Sequence, residues 1–334
     1  MTPALVGVYG PALTPDERAL FRDTDPAGYI LFGRNVVDRG QLRALTDSLR
    51  ELAGRDVPVL IDQEGGIVAR LRPPEWPAFP GGGVFDRLYE HAPSSAIAAA
   101  LANGAALGAV LAEVGVSVDC HPILDVARPE TTDAIGARVF GREPLRVAAL
   151  GRATLEGLAR AGVLGVIKHM PGHGRATVDS HDALPRVTAS AAELEQDLAP
   201  FRTLARRATI GMTAHVVYDA WDAERPATLS PVVIDDVIRT RIGFDGLLLS
   251  DDLHMRALTG TLAERGAAAL AAGVDLVLAC HATASELTEL AMQPMTAAAV
   301  ERLDRAMSGR KAEAVDLAEQ LAIRDSLLHL VAAA

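Results

Sequence analysis

Apolar residues gather into eight short runs along the chain: Val6–Gly10, Tyr29–Phe32, Val57–Asp62, Val116–Asp119, Gly165–His169, Thr209–His215, Gly246–Asp251 and Val274–Ala279. They are rich in aliphatic and β-branched side chains and barely alternate with polar ones, the pattern of strands covered on both faces. Helical patterns separate them. Thr14-Pro15-Asp16-Glu17 is a helix start, with a capping hydroxyl, a proline in the first turn and two acids. Ile97–Val114, Pro144–Ala161 and Ser230–Arg241 read as helices, and Met255–Ala272 as an Ala-rich one. Ala191–Arg207 reads as a helix that Pro200 breaks or kinks. Ala297–Met307 and Lys311–Val331 follow the last strand and are expected to pack on the outside as extra C-terminal helices.

Strands alternating with helices predict a parallel sheet with right-handed crossovers, and eight strands are enough to close it. The polar residues choose between closed and open forms. Asp62, Lys168-His169, His215 and Asp251 each end an apolar run, and in a barrel those ends meet on the face that carries active sites. A doubly wound open sheet calls for a glycine fingerprint after an early strand, which Asp62-Gln63-Glu64-Gly65-Gly66 does not match. The expectation is an α/β protein with a (β/α)8 TIM-type barrel, residues 1–334 forming a single catalytic domain.

Composition narrows the function classes. With 49% hydrophobic and 22% charged residues, a large core is expected and disorder is excluded. No apolar run looks both long and unbroken enough to span a bilayer, and Met1–Leu5 carries no export signal, so a cytoplasmic location is expected. Cys120 and Cys280 are the only cysteines, too few for a disulfide framework or a cysteine zinc cluster. A net charge of −11 argues against nucleic acid or anionic membranes as partners. A monomer is expected. Only two of the 32 basic residues, Lys168 and Lys311, are lysines. Where arginine is the default, a retained lysine suggests a need for a compact ammonium.

The densest polar stretch is Lys168–His181, with three histidines, the rare lysine and Asp179. Pro171, Gly172 and Gly174 forbid a helix there, so a strand end runs into a long loop. The same residues spoil the zinc-helix spacing of His169 and His173. Asp179 and His181, one residue apart, can bond, which would fix the imidazole tautomer and raise its basicity for proton transfer. A loop histidine merely satisfied by its neighbour is the plainer alternative. Asp251 closes the run Gly246-Leu247-Leu248-Leu249-Ser250 and, facing a barrel mouth, suits a nucleophile or electrostatic stabiliser, while Asp252 suits a helix cap. Asp62, Arg70, Arg138, Lys168 and His169 together offer charged donors and acceptors that suit a sugar. With aromatics at 4%, a pocket for one terminal sugar fits better than a polymer cleft.

These motifs occur in one order: Asp62-Gln63-Glu64-Gly65-Gly66 with Arg70, Ile135–Gly141 around Arg138, Lys168-His169-Met170-Pro171-Gly172-His173-Gly174 with Asp179-Ser180-His181, and Ser250-Asp251-Asp252. In this the chain resembles the β-N-acetylglucosaminidases of glycoside hydrolase family 3, NagZ type, in a single-domain version. The resemblance implies a retaining hydrolase of cell-wall recycling that removes terminal β-linked N-acetylglucosamine from anhydromuropeptides. It implies Asp251 as nucleophile, His181 as acid/base and Asp179 as its orienter, with Asp62, Arg70, Arg138, Lys168 and His169 on the sugar. No metal or organic cofactor is implied. Two positions depart from the family pattern: Met170 where an aromatic is usual, and Arg175 where Asp is common. Competing readings are a phosphorylase on the same scaffold, a non-catalytic sugar-binding barrel, and a metal-dependent amidohydrolase using the histidines. Were His181 not the proton donor, Glu64 would be the next carboxylate to test.

Overall fold

Each apolar run does become a strand, and the eight close in chain order into an all-parallel barrel: β1 (Thr2–Gly7), β2 (Pro26–Leu31), β3 (Val59–Ile61), β4 (Val118–Asp119), β5 (Leu164–Met170), β6 (Ile210–Thr213), β7 (Leu247–Asp252) and β8 (Leu276–Ala279), with β8 paired to β1. The computed structural model describes residues 1–332. Alternation along the strands divides the core in two. Leu5, Ile30, Leu60, Val118, Val166, Met212, Leu249 and Leu278 fill the barrel interior. Their neighbours, among them Val6, Leu31, Ile61, Ile167 and Leu248, face the surrounding helices. Burying both faces removes most of the strands' apolar area from water, at roughly 25 cal/mol per Å².

Local signals set most boundaries. Thr14 caps the helix Pro15–Thr24 through a reciprocal bond with Glu17, as its sequence predicts. β1 starts at Thr2 and ends at Gly7, earlier than Val6–Gly10, because β2 and β8 pair with that segment from both sides. The helix Leu262–Ala272 starts later than Met255: Gly260 turns the chain at φ +94°, and the Thr261 hydroxyl caps the helix by accepting the Glu264 N–H. Asp316 accepts the Glu319 N–H and starts the helix Leu317–Ala332 later than the expected Lys311–Val331. The Ser230–Arg241 reading becomes a π-helix, Val233–Ile242.

Four expectations need correction. Pro200 does not end its helix, which runs Ala191–Leu204; Leu194, Leu198, Phe201 and Leu204 are all buried along it, offsetting the ~3 kcal/mol an interior proline costs. Ala297–Ser308 is not simply outside, because Leu303 and Ala306 join the barrel-interior cluster and plug that end. Pro93–Glu113 is long and apolar enough to cross a membrane, with a mean hydropathy of 1.7, although the sequence reading found no such run. Its apolar surface is occupied by helix packing: a methyl group on Gly104 would meet the Thr154 carbonyl at 2.6 Å, and one on Gly157 the Leu101 carbonyl at 2.4 Å. Finally, the helices Arg39–Ala53 and Gly82–His91 and a small sheet of Arg186–Val187, Val217–Tyr218 and Asp222–Pro226 lie outside the expected elements. The first had full signals, an Asp38 cap, buried Leu42, Leu45 and Leu49, and Gly54 left-handed at its end.

Candidate active site

The alternation that fills the barrel also aims its polar ends. Continuing the interior positions by two residues leads from Leu60 to Asp62, from Val166 to Lys168 and from Leu249 to Asp251. A cavity of about 330 Å³ opens there. Asp62, Arg70, Arg138, Lys168, His169, Asp179, His181 and Asp251 all line it, so residues from distant parts of the sequence meet at one mouth.

A charge network forms one wall. Lys168 Nζ lies 2.7 Å from Glu64 Oε1 and 3.1 Å from Asp62 Oδ1. Arg138 grips Glu64 through both oxygens, at 2.8 and 2.6 Å, and Arg70 reaches Asp62 at 3.3 Å. Burial opposes ionisation of Glu64, but the Lys168 and Arg138 charges outweigh it and hold the carboxyl well below its usual range. Burial likewise opposes the Lys168 charge, and Glu64 and Asp62 reverse the effect, so the ammonium is held on. Glu64 is thus ionised and spent on ion pairs, a poor proton donor. Arg138 also bonds the Ala134 carbonyl, so its fork is largely engaged.

The histidines are held by a residue that sequence reasoning missed. Asp125 Oδ2 bonds His169 Nδ1 at 2.7 Å, while Oδ1 accepts the N–H groups of His173 at 2.6 Å and His169 at 3.2 Å. Burial pushes the Asp125 carboxyl up, but His169 and His173 win and keep it low. Fixing Nδ1 of His169 on a carboxylate leaves Nε2 for a ligand. An aspartate ending the apolar stretch Ile123-Leu124 was the available signal. Among the described residues no three His, Cys, Asp or Glu side chains group to hold a metal ion.

Asp251 lines the same mouth. Among the described residues its carboxylate accepts one hydrogen bond, the Asp252 N–H at 2.8 Å. Burial raises its pKa, yet His169, His215 and that N–H bring it down to about 2. The third component is the loop after β5. His181 Nδ1 bonds Asp179 Oδ1 at 2.8 Å, and the His181 N–H reaches the same oxygen at 2.9 Å. The His181 side chain remains 70% exposed. Burial raises Asp179, but both His181 bonds outweigh it and keep the carboxyl low. The base of the loop is tight: a methyl on Gly174 would stand 2.0 Å from the Val126 carbonyl. Arg175 ties it to the Ala191–Leu204 helix through Asp197 at 2.7 Å and the Glu193 carbonyl. Met170 is buried, with its methyl close against Gly211.

An ionised carboxylate with one backbone N–H on it can attack an electrophilic carbon, and a carboxylate-bound imidazole lining the same cavity can pass a proton to what leaves. Known proteins resemble the chain over most of its length. The glycosyl hydrolase family 3 N-terminal domain matches residues 5–311. A β-hexosaminidase of Alkalilimnicola ehrlichii is 40% identical over 283 residues, 84% of this chain and 80% of its own. One from Chromobacterium violaceum is 39% identical over 319 residues, covering 93% and 88%. Among solved structures, NagZ from Neisseria gonorrhoeae in complex with N-trifluoroacetyl-D-glucosamine superposes with a TM-score of 0.87 at 31% identity, covering 99% of this chain and 98% of that one.

Proposed function

The chain belongs to glycosyl hydrolase family 3 and is a glycoside hydrolase of the β-hexosaminidase type, and within that we propose a retaining exo-β-N-acetylglucosaminidase that removes terminal, non-reducing N-acetylglucosamine from anhydromuropeptides derived from peptidoglycan. The observation that carries the proposal is that one cavity is lined both by the Asp251 carboxylate, which accepts the Asp252 N–H, and by the Asp179–His181 dyad.

In the proposed reaction Asp251 attacks the anomeric carbon and the bond to the aglycone oxygen breaks. That oxygen takes its proton from His181 Nε2. His181 then removes a proton from water, which attacks the same carbon and frees Asp251. Two inversions retain the β configuration. Most retaining enzymes use a second carboxylate as acid/base; here an imidazole replaces it, with Asp179 on Nδ1 keeping the other nitrogen for the transfer. Lys168, Asp62, Arg70, Arg138 and His169 would bond the sugar hydroxyls. A cavity of about 330 Å³ suits one terminal sugar. The proposed enzyme is a cytoplasmic monomer. The two cysteines are buried and unpaired and require no oxidising compartment.

The test is turnover of matched aryl β-N-acetylglucosaminide and β-glucoside substrates, and of an N-acetylglucosaminyl anhydromuropeptide, with and without phosphate. Strong preference for the N-acetyl sugar, release of free N-acetylglucosamine and cleavage of the muropeptide are expected. A phosphorylase would release the sugar 1-phosphate instead, since an uncharged imidazole repels phosphate less than a carboxylate does. A non-catalytic barrel would release nothing.

A further inference from the structure

From Thr177 to Leu184 the loop lies at the surface with one exception. Ser180, between the two members of the dyad, is 5% exposed. Its Oγ lies 3.4 Å from His173 Nε2, and its carbonyl accepts the Ala257 N–H from the segment after β7 at 3.2 Å. His173 is itself 2% exposed, with its N–H on Asp125. The exposed loop therefore stands on one buried post, which continues through Asp125 to His169 on the sugar side of the cavity.

We propose that Ser180 and His173 form a latch that holds the loop over the cavity and sets the place of His181, making both of them positioning residues for the proton transfer. The proposal rests on the reading of His181 as the acid/base. Ser180 is directly bonded along the chain to Asp179 and His181, so any shift of its backbone moves donor and orienter together. The direction of the bond follows from what is left over. Among the described residues His173 Nδ1 is buried without a partner, and a buried N–H without an acceptor is rarer and costlier than an unused lone pair. The proton therefore sits on Nε2 and is donated to Ser180 Oγ. Burial and the neighbouring His169 bring His173 down to about 4, so at neutral pH the latch is a bond between uncharged groups. At 3.4 Å it is long and weak for a hydrogen bond, which suits a segment that must let product out.

The test is a double-mutant cycle on kcat/KM with two substrates, N,N′-diacetylchitobiose and a dinitrophenyl β-N-acetylglucosaminide. Ser180→Ala replaces a buried hydroxyl by hydrogen and should leave the melting temperature close to that of the wild type. It should lower kcat/KM for the disaccharide by about three- to tenfold, the range of one uncharged hydrogen bond, and leave the dinitrophenyl substrate unchanged. In a His181→Ala background, Ser180→Ala should cost nothing further. An unchanged disaccharide rate, or the same loss in both backgrounds, overturns the latch alone. Equal slowing of both substrates by His181→Ala overturns the acid/base reading and the latch with it.

Discussion

Asp251 and Asp252 are adjacent at the end of β7 and are used in opposite ways. Asp252 Oδ1 accepts from His254 through both the ring Nδ1 and the backbone N–H, each at 3.1 Å, and its carbonyl bonds His215 Nε2 at 3.0 Å. Asp251 accepts a single backbone N–H and is ionised above about pH 2. Both side chains border the cavity, and the register of β7 shifts between Leu249 and Asp252, so the difference lies in their partners: His254 engages the Asp252 carboxylate and leaves that of Asp251 open.

Asp251→Asn should therefore keep the fold and lose nearly all turnover. A fluorinated glycosyl inactivator should attach to Asp251, read by peptide mass mapping. Attachment to Asp252 would refute the assignment. Because Asp251 is already ionised near pH 2, its titration should produce no acid limb in kcat/KM at mildly acidic pH.

Lys168 bridges Glu64 and Asp62 with a single small cation. Lys168→Ala should raise the Kd for N-acetylglucosamine by about 10- to 100-fold, the range of a hydrogen bond to a charged group. Lys168→Arg should not restore binding, because the planar fork would meet Arg138 on the same carboxylate. Calorimetric binding with melting temperatures recorded in parallel separates lost affinity from lost fold. Full recovery by arginine would show that only the charge matters.

His121 is buried against Phe140, and burial brings its pKa down from 6.5 to about 4. Between those pH values the unfolded chain binds a proton that the folded chain does not. Its contribution is therefore complete above pH 6.5 and is lost as pH falls toward 4, by up to about 1.4 kcal/mol per pH unit. His121→Phe should flatten the dependence of melting temperature on pH in that window. An unchanged slope would mean that His121 is protonated in the folded state.

Alternation explains which parts of this site could be read before the fold was known. Asp62, Lys168 and Asp251 each interrupt an apolar strand two residues beyond an interior position, so the strand period points them to the mouth, although β5 and β7 both shift register near their ends. The Asp179–His181 bond is local and follows from spacing. The partners of those residues were harder to see. Glu64 looked like a spare acid, yet becomes the anchor of Lys168 and Arg138, because that role depends on two strands and a loop meeting. Asp125 bonds two histidines more than forty residues away, and no spacing rule reaches that far. In the fold, Pro200 and Ala297–Ser308 were misjudged for a related reason: tertiary burial overrode a local signal in each.

The loop's tight base gives a prediction remote from the chemistry. Gly174→Ala would drive a methyl into the Val126 carbonyl at 2.0 Å, so the Lys168–His181 segment must shift. Turnover of a disaccharide should fall by more than tenfold, since misplacing a catalytic group by about 1 Å can cost ~10². Activity equal to wild type would show that the loop's seat does not position His181.

The central claim, that an imidazole on Asp179 does the work of the second carboxylate, is tested most directly by His181→Ala. Kinetics should be compared on a sugar and on a nitrophenyl leaving group, with and without azide. A sugar departs poorly without a proton, so its cleavage should slow by ~10²–10⁴. The nitrophenyl group departs unaided, leaving hydrolysis of the glycosyl-Asp251 intermediate limiting. Azide, which needs no base, should then restore turnover and yield the β-glycosyl azide. Equal slowing of both substrates with no response to azide would contradict the account.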